Sequence, residues 1–108
     1  MPRYVPPYDR REQHLPGYNF AGPGTNVWLR WKRGVKPMNA IDQACLNHDV
    51  VTEPRGPYRG KGDPGKMRAA DRRLIAACKK NYQVDPTAAA LIIAAMKLVL
   101  KTGARGRS

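Results

Sequence analysis

The sequence has few acidic residues and few cysteines. Its 8 Asp and Glu stand against 20 Lys and Arg, which gives a formal net charge of +12. We therefore expect a surface that attracts polyanions such as nucleic acid or an anionic membrane face. The 2 cysteines, Cys45 and Cys78, are too few for a disulfide-rich secreted scaffold. The sequence allows two states for these cysteines, a single disulfide or a reduced, buried pair, and slightly favours the reduced pair.

An export signal and a membrane-spanning run are also missing from the pattern. Residues 1–7 have no apolar core of the kind that a signal peptide needs, so we expect no export signal in the chain. The apolar run from Ala88 to Leu100, broken only by Lys97, is shorter than the roughly 20 residues that cross a bilayer. We expect a helix packed in the core, with a membrane-inserting or self-associating amphipathic segment as the alternative.

Proline and glycine are frequent before residue 35 and interrupt every candidate helix or long strand there. We therefore expect this region to be loop. The pattern changes at Asn39, which can cap a first helix running from Ala40 to about Thr52. The prolines and glycines that follow are expected to stop this helix and to form a basic connection.

A second helix is expected to begin between Gly65 and Arg68 and to end near Tyr82. The pair Asp85-Pro86 places an acidic cap before a proline at the first helical position, which predicts a third helix. Gly103 is expected to end it. No internal repeat is visible in the sequence.

A chain of 108 residues is expected to form one small domain, residues 1–108, and the predicted elements make it all-α. Residues 1–17 form an irregular arm in this organisation. Residues 18–82 form the core, with two antiparallel helices, and residues 83–108 form the C-terminal apolar helix and a basic tail.

The second helix places a carboxylate within its apolar face. The apolar stripe recurs at three- and four-residue spacing and consists of Met67, Ala70, Leu74, Ala77 and Cys78. Asp71 lies inside this stripe, and a carboxylate there is costly unless a buried polar group hydrogen-bonds to it. His48 and Asp49 share the inward side of the first helix. If the helices pack antiparallel, Asp71 can accept a hydrogen bond from one His48 nitrogen and leave the other to take a proton from water.

Two stretches of this sequence resemble the phospholipase A2 superfamily. The loop Phe20-Ala21-Gly22-Pro23-Gly24-Thr25 has the form x-x-G-x-G of a calcium loop, and residues 42–49, DQACLNHD, have the form D-x-x-C-x-x-H-D. The resemblance is closest to the phospholipase A2 domains of parvovirus minor capsid proteins. These have few cysteines and an Ala-Asp pair on the second helix, which Ala70-Asp71 matches. The resemblance covers roughly residues 18–80.

The resemblance implies a calcium-dependent phospholipase A2 that hydrolyses the sn-2 ester and releases a fatty acid and a lysophospholipid. His48 would deprotonate the attacking water and Asp71 would orient His48. Ca²⁺, together with the backbone NH of Gly22, would stabilise the oxyanion. The implied ligands of Ca²⁺ are the backbone carbonyls of Phe20, Gly22 and Gly24 and both carboxylate oxygens of Asp49.

The same resemblance implies a viral context, in which the chain is a virion component that breaches the host endosomal membrane. Phospholipid membranes, capsid proteins and other viral proteins are the partners that follow from it. This sequence departs from the family at Thr52, where the family has a tyrosine that hydrogen-bonds to the second-helix aspartate. The segment between Gly24 and His48 is also longer than expected.

Trp28 and Trp31, in the longer segment, allow three interpretations: core packing, base stacking on nucleic acid, and anchoring at a membrane interface. Because a lipase works at a lipid interface, we favour the interpretation in which these residues anchor the chain to an anionic phospholipid surface. The expected membrane-binding set is Trp28, Arg30, Trp31, Lys32 and Arg33.

Two other functions stay open. A basic nucleic-acid-binding or packaging protein would use the tryptophans and the Arg and Lys clusters, but it gives no reason for Asp71. A catalytically silent membrane-binding domain of the same fold would explain Thr52. Asp42 is equally consistent with an acid in the first turn of a helix and with a residue that braces the loop.

Overall fold

The computed structural model describes residues 4–5, 17–21, 27–52 and 63–103, with the side chains of Val27 and Trp28 excepted. Within these residues the chain forms four α-helices and one 3₁₀ helix, and no strand. The all-α prediction is confirmed. The elements are α1 (Val27–Lys32), α2 (Ala40–Thr52), α3 (Pro64–Lys80), the 3₁₀ helix (Tyr82–Val84) and α4 (Pro86–Thr102).

Two helices have the bounds that their capping residues predict. At the start of α2, the Asn39 side-chain oxygen accepts a hydrogen bond from the backbone NH of Asp42 at 3.0 Å. At the start of α4, Asp85 Oδ1 accepts one from the NH of Ala88 at 3.1 Å. Gly103 follows α4 in the left-handed conformation, with φ 74°. The caps satisfy backbone groups that a helix end leaves without partners, so local sequence sets these ends.

Helix α3 begins slightly earlier than predicted. Asp63 caps it by accepting hydrogen bonds from the NH groups of Gly65 at 2.9 Å and Lys66 at 3.2 Å, with Pro64 at the first helical position. This is the same Asp-Pro signal that opens α4. The helix ends at Lys80, two residues before the predicted end, and the Asn81 side chain that follows donates to the carbonyl of Ala77 at 2.8 Å.

Helix α1 lies in the region predicted to be loop, so that prediction was wrong. Its six residues contain neither proline nor glycine, and the chain leaves it through Gly34 at φ 76°. Helices this short are marginal by themselves and need tertiary packing. Here α1 packs against α2 and buries the side chain of Arg30 completely.

The core lies where α3 packs between α2 and α4. Residues 17–21 close one side of it with Tyr18, Phe20 and Ala21, all buried. The face of α4 that carries Ala88, Ala89 and Ile92 is also buried, as expected for a core helix. No helix in the described ranges is both long enough and apolar enough to cross a membrane.

Tyr18 links the loop to the starts of two helices. Its hydroxyl donates to Asp85 Oδ2 at 2.8 Å and accepts from the Asn39 side-chain nitrogen at 3.1 Å. Burial raises the pKa of Tyr18 to about 12; the Asn39 hydrogen bond opposes this rise, and the Asp85 carboxylate adds to it. The phenol is therefore a neutral hydrogen-bonding bridge at physiological pH.

The caps of α3 and α4 form a matched pair for measuring this bridge. Asp63→Ala removes a cap alone and should lower the free energy of unfolding by about 1 kcal/mol. Asp85→Ala removes a cap and the acceptor of the Tyr18 hydroxyl, so the loss should be about 2 kcal/mol. Urea denaturation measures both. Equal losses, with no effect of Tyr18→Phe, would show that the bridge contributes nothing to stability.

Candidate active site

His48 and Asp71 meet between α2 and α3. His48 Nε2 lies 2.6 Å from Asp71 Oδ1, and both side chains are buried. The contact that the helix faces predicted is therefore present. On the other side of the ring, Nδ1 lies 3.3 Å from Asp49 Oδ1. The imidazole is held between two carboxylates, one on its own helix and one on the facing helix.

The two helices run antiparallel, as predicted. His48 contacts Asp71, whereas Cys45, one turn earlier in α2, and Cys78, two turns later in α3, belong to the same buried core cluster. Burial raises the pKa of both thiols, with Asp49 and Cys78 adding to the effect at Cys45. Both cysteines are free and buried.

The position of Asp71 sets the tautomer of His48. An ionised carboxylate only accepts hydrogen bonds, so Nε2 carries the hydrogen and donates it to Asp71. In the neutral ring the lone pair is then on Nδ1, beside Asp49. Burial lowers the pKa of His48, but the hydrogen bonds and charges of Asp49 and Asp71 outweigh it, so the pKa is raised above 6.5. Nδ1 is the nitrogen available to take a proton.

Asp42 braces the loop that approaches the site. It is fully buried and accepts three backbone hydrogen bonds, from the NH groups of Phe20 at 2.8 Å, Asn19 at 2.9 Å and Met38 at 2.8 Å. Of the two interpretations left open for Asp42, this is the bracing one. The start of the candidate calcium loop is thus fixed to the first turn of α2.

Asn19 is a supporting residue that sequence reasoning missed. It is fully buried, its side-chain oxygen accepts from the NH of Val5 at 2.7 Å, and its nitrogen donates to the carbonyl of Lys36 at 2.9 Å. Three separate parts of the chain are joined by this one amide. A lone Asn in a loop carries no sequence signal for such a role, because its partners are distant in sequence.

The candidate calcium ligands are only partly described. Phe20 is buried and its position is set by Asp42, while Asp49 is partly exposed beside His48. Gly22 and Gly24 lie outside the described residues. In the described ranges no group of three or more His, Cys, Asp or Glu side chains could hold a metal ion. A site here would therefore use one carboxylate and backbone carbonyls, a set of hard oxygen donors that fits Ca²⁺ rather than Zn²⁺.

Thr52 does not take the role of the tyrosine that the family pattern has at this position. Its hydroxyl donates to the carbonyl of His48 at 3.3 Å, within its own helix. Tyr82, a tyrosine that follows α3 in the chain, is exposed, and Tyr58 lies outside the described residues.

The structure places some residues of the predicted membrane-binding set on the surface and one of them in the interior. Trp31 is 60% exposed, and Lys32 and Arg33 are exposed beside it. Arg30 has to be withdrawn from this set, because its side chain is buried against the fold and faces no surface. The side chain of Trp28 lies outside the described part of the chain.

A groove of about 210 Å³ reaches His48 along the α2 and α3 pair. It is lined by Ala44, Asn47, His48, Ala70, Arg73, Leu74 and Ala77. At roughly 100° per residue, Asp49 points well away from the Ala44 and Asn47 side of α2. Asp49 is not among the residues that line the groove.

Asp42→Asn tests the bracing role. The amide keeps the size of the side chain but replaces one acceptor oxygen with a nitrogen, so buried backbone NH groups lose their partner. We expect the free energy of unfolding to fall by about 3 kcal/mol, measured by urea denaturation. A loss below about 1 kcal/mol would match an acid that only interacts with the helix dipole.

The calcium-free protein should show a raised His48 pKa in an NMR titration, with His48→Asn assigning the signal. We expect a midpoint above 6.5 and a fall towards 6.5 in Asp49→Asn, which removes the largest of the interactions that raise it. Because the folded pKa is raised, protonated His48 stabilises the fold below pH 6.5, and this contribution is lost as pH rises through the folded pKa. A midpoint at or below 6.5 would contradict the double-carboxylate arrangement.

Comparison with protein families gives a match. A sequence model of the phospholipase A2-like domain matches residues 11–95, which include both helices of the candidate site and the loop before them. No curated protein and no solved structure matches the chain. The match covers most of the sequence and contains His48, Asp49 and Asp71, so the chain belongs to the phospholipase A2-like domain family.

Proposed function

We propose that the chain is a calcium-dependent phospholipase A2 that hydrolyses the sn-2 ester of membrane phospholipids. Membership of the phospholipase A2-like domain family supports a phospholipase-like hydrolase in general. The observation that carries the finer proposal is the buried hydrogen bond of 2.6 Å between His48 and Asp71, with Asp49 at the other ring nitrogen. This is the arrangement of an oriented general base beside a candidate metal ligand.

The chain's own residues supply the proton transfers. Asp71 holds the hydrogen on Nε2, so Nδ1 of neutral His48 accepts a proton from the attacking water. The oxygen of that water bonds to the ester carbonyl carbon. When the carbon–oxygen bond to the glycerol breaks, His48 returns the proton to the leaving oxygen. Asp71 stabilises the imidazolium that exists between these two steps.

The implied Ca²⁺ would be held by Asp49 and by the carbonyls of Phe20, Gly22 and Gly24. When bound, it supplies positive charge that stabilises the oxyanion of the ester carbonyl. The backbone NH of Gly22 is the candidate second donor to that oxygen. Asp42 positions the Phe20 end of this loop through the backbone, whether or not a metal is bound.

The proposed partner is an anionic phospholipid surface. The net charge of +12 favours it, and Trp31, Lys32 and Arg33 offer an exposed aromatic group beside cations. The proposed context is membrane breach during infection of a host cell, with the chain in a virion or at an endosomal membrane, together with capsid or other viral proteins. This context derives from the parvovirus resemblance alone.

A catalytically silent membrane-binding domain is the second candidate. One observation favours it: the hydroxyl of Thr52 is bonded within α2, so the phenol that the family pattern places there has no equivalent at this position. Both candidates predict membrane binding, and only turnover separates them.

A liposome assay separates these candidates. Anionic liposomes should release free fatty acid in the presence of Ca²⁺ and not in EDTA. His48→Asn should lower the initial rate by about 100-fold or more, because the general base is lost. Asp49→Asn should abolish the response to Ca²⁺. Gln83→Ala, an exposed change in the 3₁₀ helix that follows α3, is the control and should leave the rate unchanged.

Release that survives EDTA and both site variants would remove the enzymatic proposal. Vesicle binding without release by the wild-type protein would favour the silent domain. Nucleic-acid binding that falls steeply with salt, with neither lipid binding nor lipid hydrolysis, would favour the packaging alternative.

A further inference from the structure

The outer face of α4 is apolar and exposed. Leu91 is 54% exposed and Leu98 is 61% exposed, and Ala94 and Ala95 between them are exposed as well. These four residues recur at three- and four-residue spacing, so they form one stripe along the helix. We call them the α4 stripe. The opposite face of the same helix packs against the core.

Packing in the core therefore accounts for only one face of α4. Single exposed apolar residues are normal on protein surfaces, but contiguous apolar groups along one helix face are typical of interaction sites. Both large side chains of the stripe keep more than half of their surface exposed in the folded chain.

We propose that the α4 stripe is a docking surface that lies flat on an anionic phospholipid bilayer. The inference rests on the proposed function, because it names the surface through which the enzyme would reach its aggregated substrate. An amphipathic helix binds in this way by burying its apolar side chains at the level of the lipid headgroups.

The charges on α4 match such a bilayer. Lys97 and Lys101 are exposed and lie along one edge of the stripe, by the helical spacing of 100° per residue. Pro86–Thr102 contains no Asp or Glu. Lysines beside an apolar helix face can extend their ammonium groups to lipid phosphates while their stems cover apolar surface. The border of the stripe therefore carries only positive charge.

The same charges argue against a second copy of the chain, and the leucines argue against nucleic acid, as the molecule that covers the α4 stripe. A second copy would place another set of lysines, and a chain of charge +12, against the first, so like charges would oppose the contact. Nucleic acid would be attracted by the lysines, but its phosphates offer nothing apolar to Leu91 and Leu98. An anionic bilayer satisfies the lysines and the leucines together.

The test uses the full chain carrying His48→Asn, so that lipid is not consumed, and measures cosedimentation with phosphatidylserine/phosphatidylcholine vesicles in EDTA. Leu91→Gln/Leu98→Gln keeps helix propensity and should weaken binding by about tenfold for each leucine. Trp31→Gln, at the other exposed candidate surface, is the matched control and should weaken binding less. Lys97→Gln should weaken binding to anionic vesicles but not to vesicles of pure phosphatidylcholine. The protein should bind weakly to pure phosphatidylcholine in every case.

Vesicle binding that is unchanged in the leucine pair, or lowered only by Trp31→Gln, would overturn the inference. So would a wild-type dimer in analytical ultracentrifugation that the leucine pair dissociates, since a second copy would then be the occupant. Hydrolysis of a short-chain phospholipid dispersed as monomers, measured on the chain with His48 intact, is the separate readout. The double variant Leu91→Gln/Leu98→Gln should hydrolyse this monomeric lipid at the wild-type rate. If neither protein hydrolyses it while the vesicle results are as expected, the proposed function fails and the docking surface stands.

Discussion

The hydrogen bond between His48 and Asp71 joins two antiparallel helices at a buried point. A buried carboxylate without a partner would cost several kcal/mol, so the bond stabilises the helix pair as well as orienting the ring. It also forces the hydrogen onto Nε2 and leaves Nδ1 beside Asp49. One interaction thus determines the packing register, the tautomer and the nitrogen that is available for chemistry.

The loop before the site depends on a second set of buried polar contacts. Asp42 accepts hydrogen bonds from Asn19 and Phe20, and Tyr18 bridges the starts of α2 and α4. A loop of this kind has no internal ladder of hydrogen bonds, so its backbone groups must find partners on the helices. The position of the candidate calcium ligand Phe20 follows from these contacts.

Helix α4 has one face that stabilises the fold and another that remains exposed. Its inner face, with Ala88, Ala89 and Ile92, completes the core, while its outer face keeps Leu91 and Leu98 exposed. Apolar surface that folding leaves in water is available to stabilise an association instead. The His48–Asp71 pair lies on α2 and α3, whereas the exposed stripe lies on α4, so mutations can change one without touching the other.

Sequence alone determined what depends on near neighbours. The bounds of α2 and α4 follow from caps at Asn39 and Asp85, and helical spacing put His48 and Asp71 on inward faces, because caps and faces involve residues within about one turn. Tertiary structure decided the rest. The six-residue α1 forms only because it can pack on α2, and Arg30 was assigned to a surface although it is buried. The Tyr18–Asp85 bond joins residues separated by 67 positions, and a pairing at that distance leaves no periodic trace in a single chain.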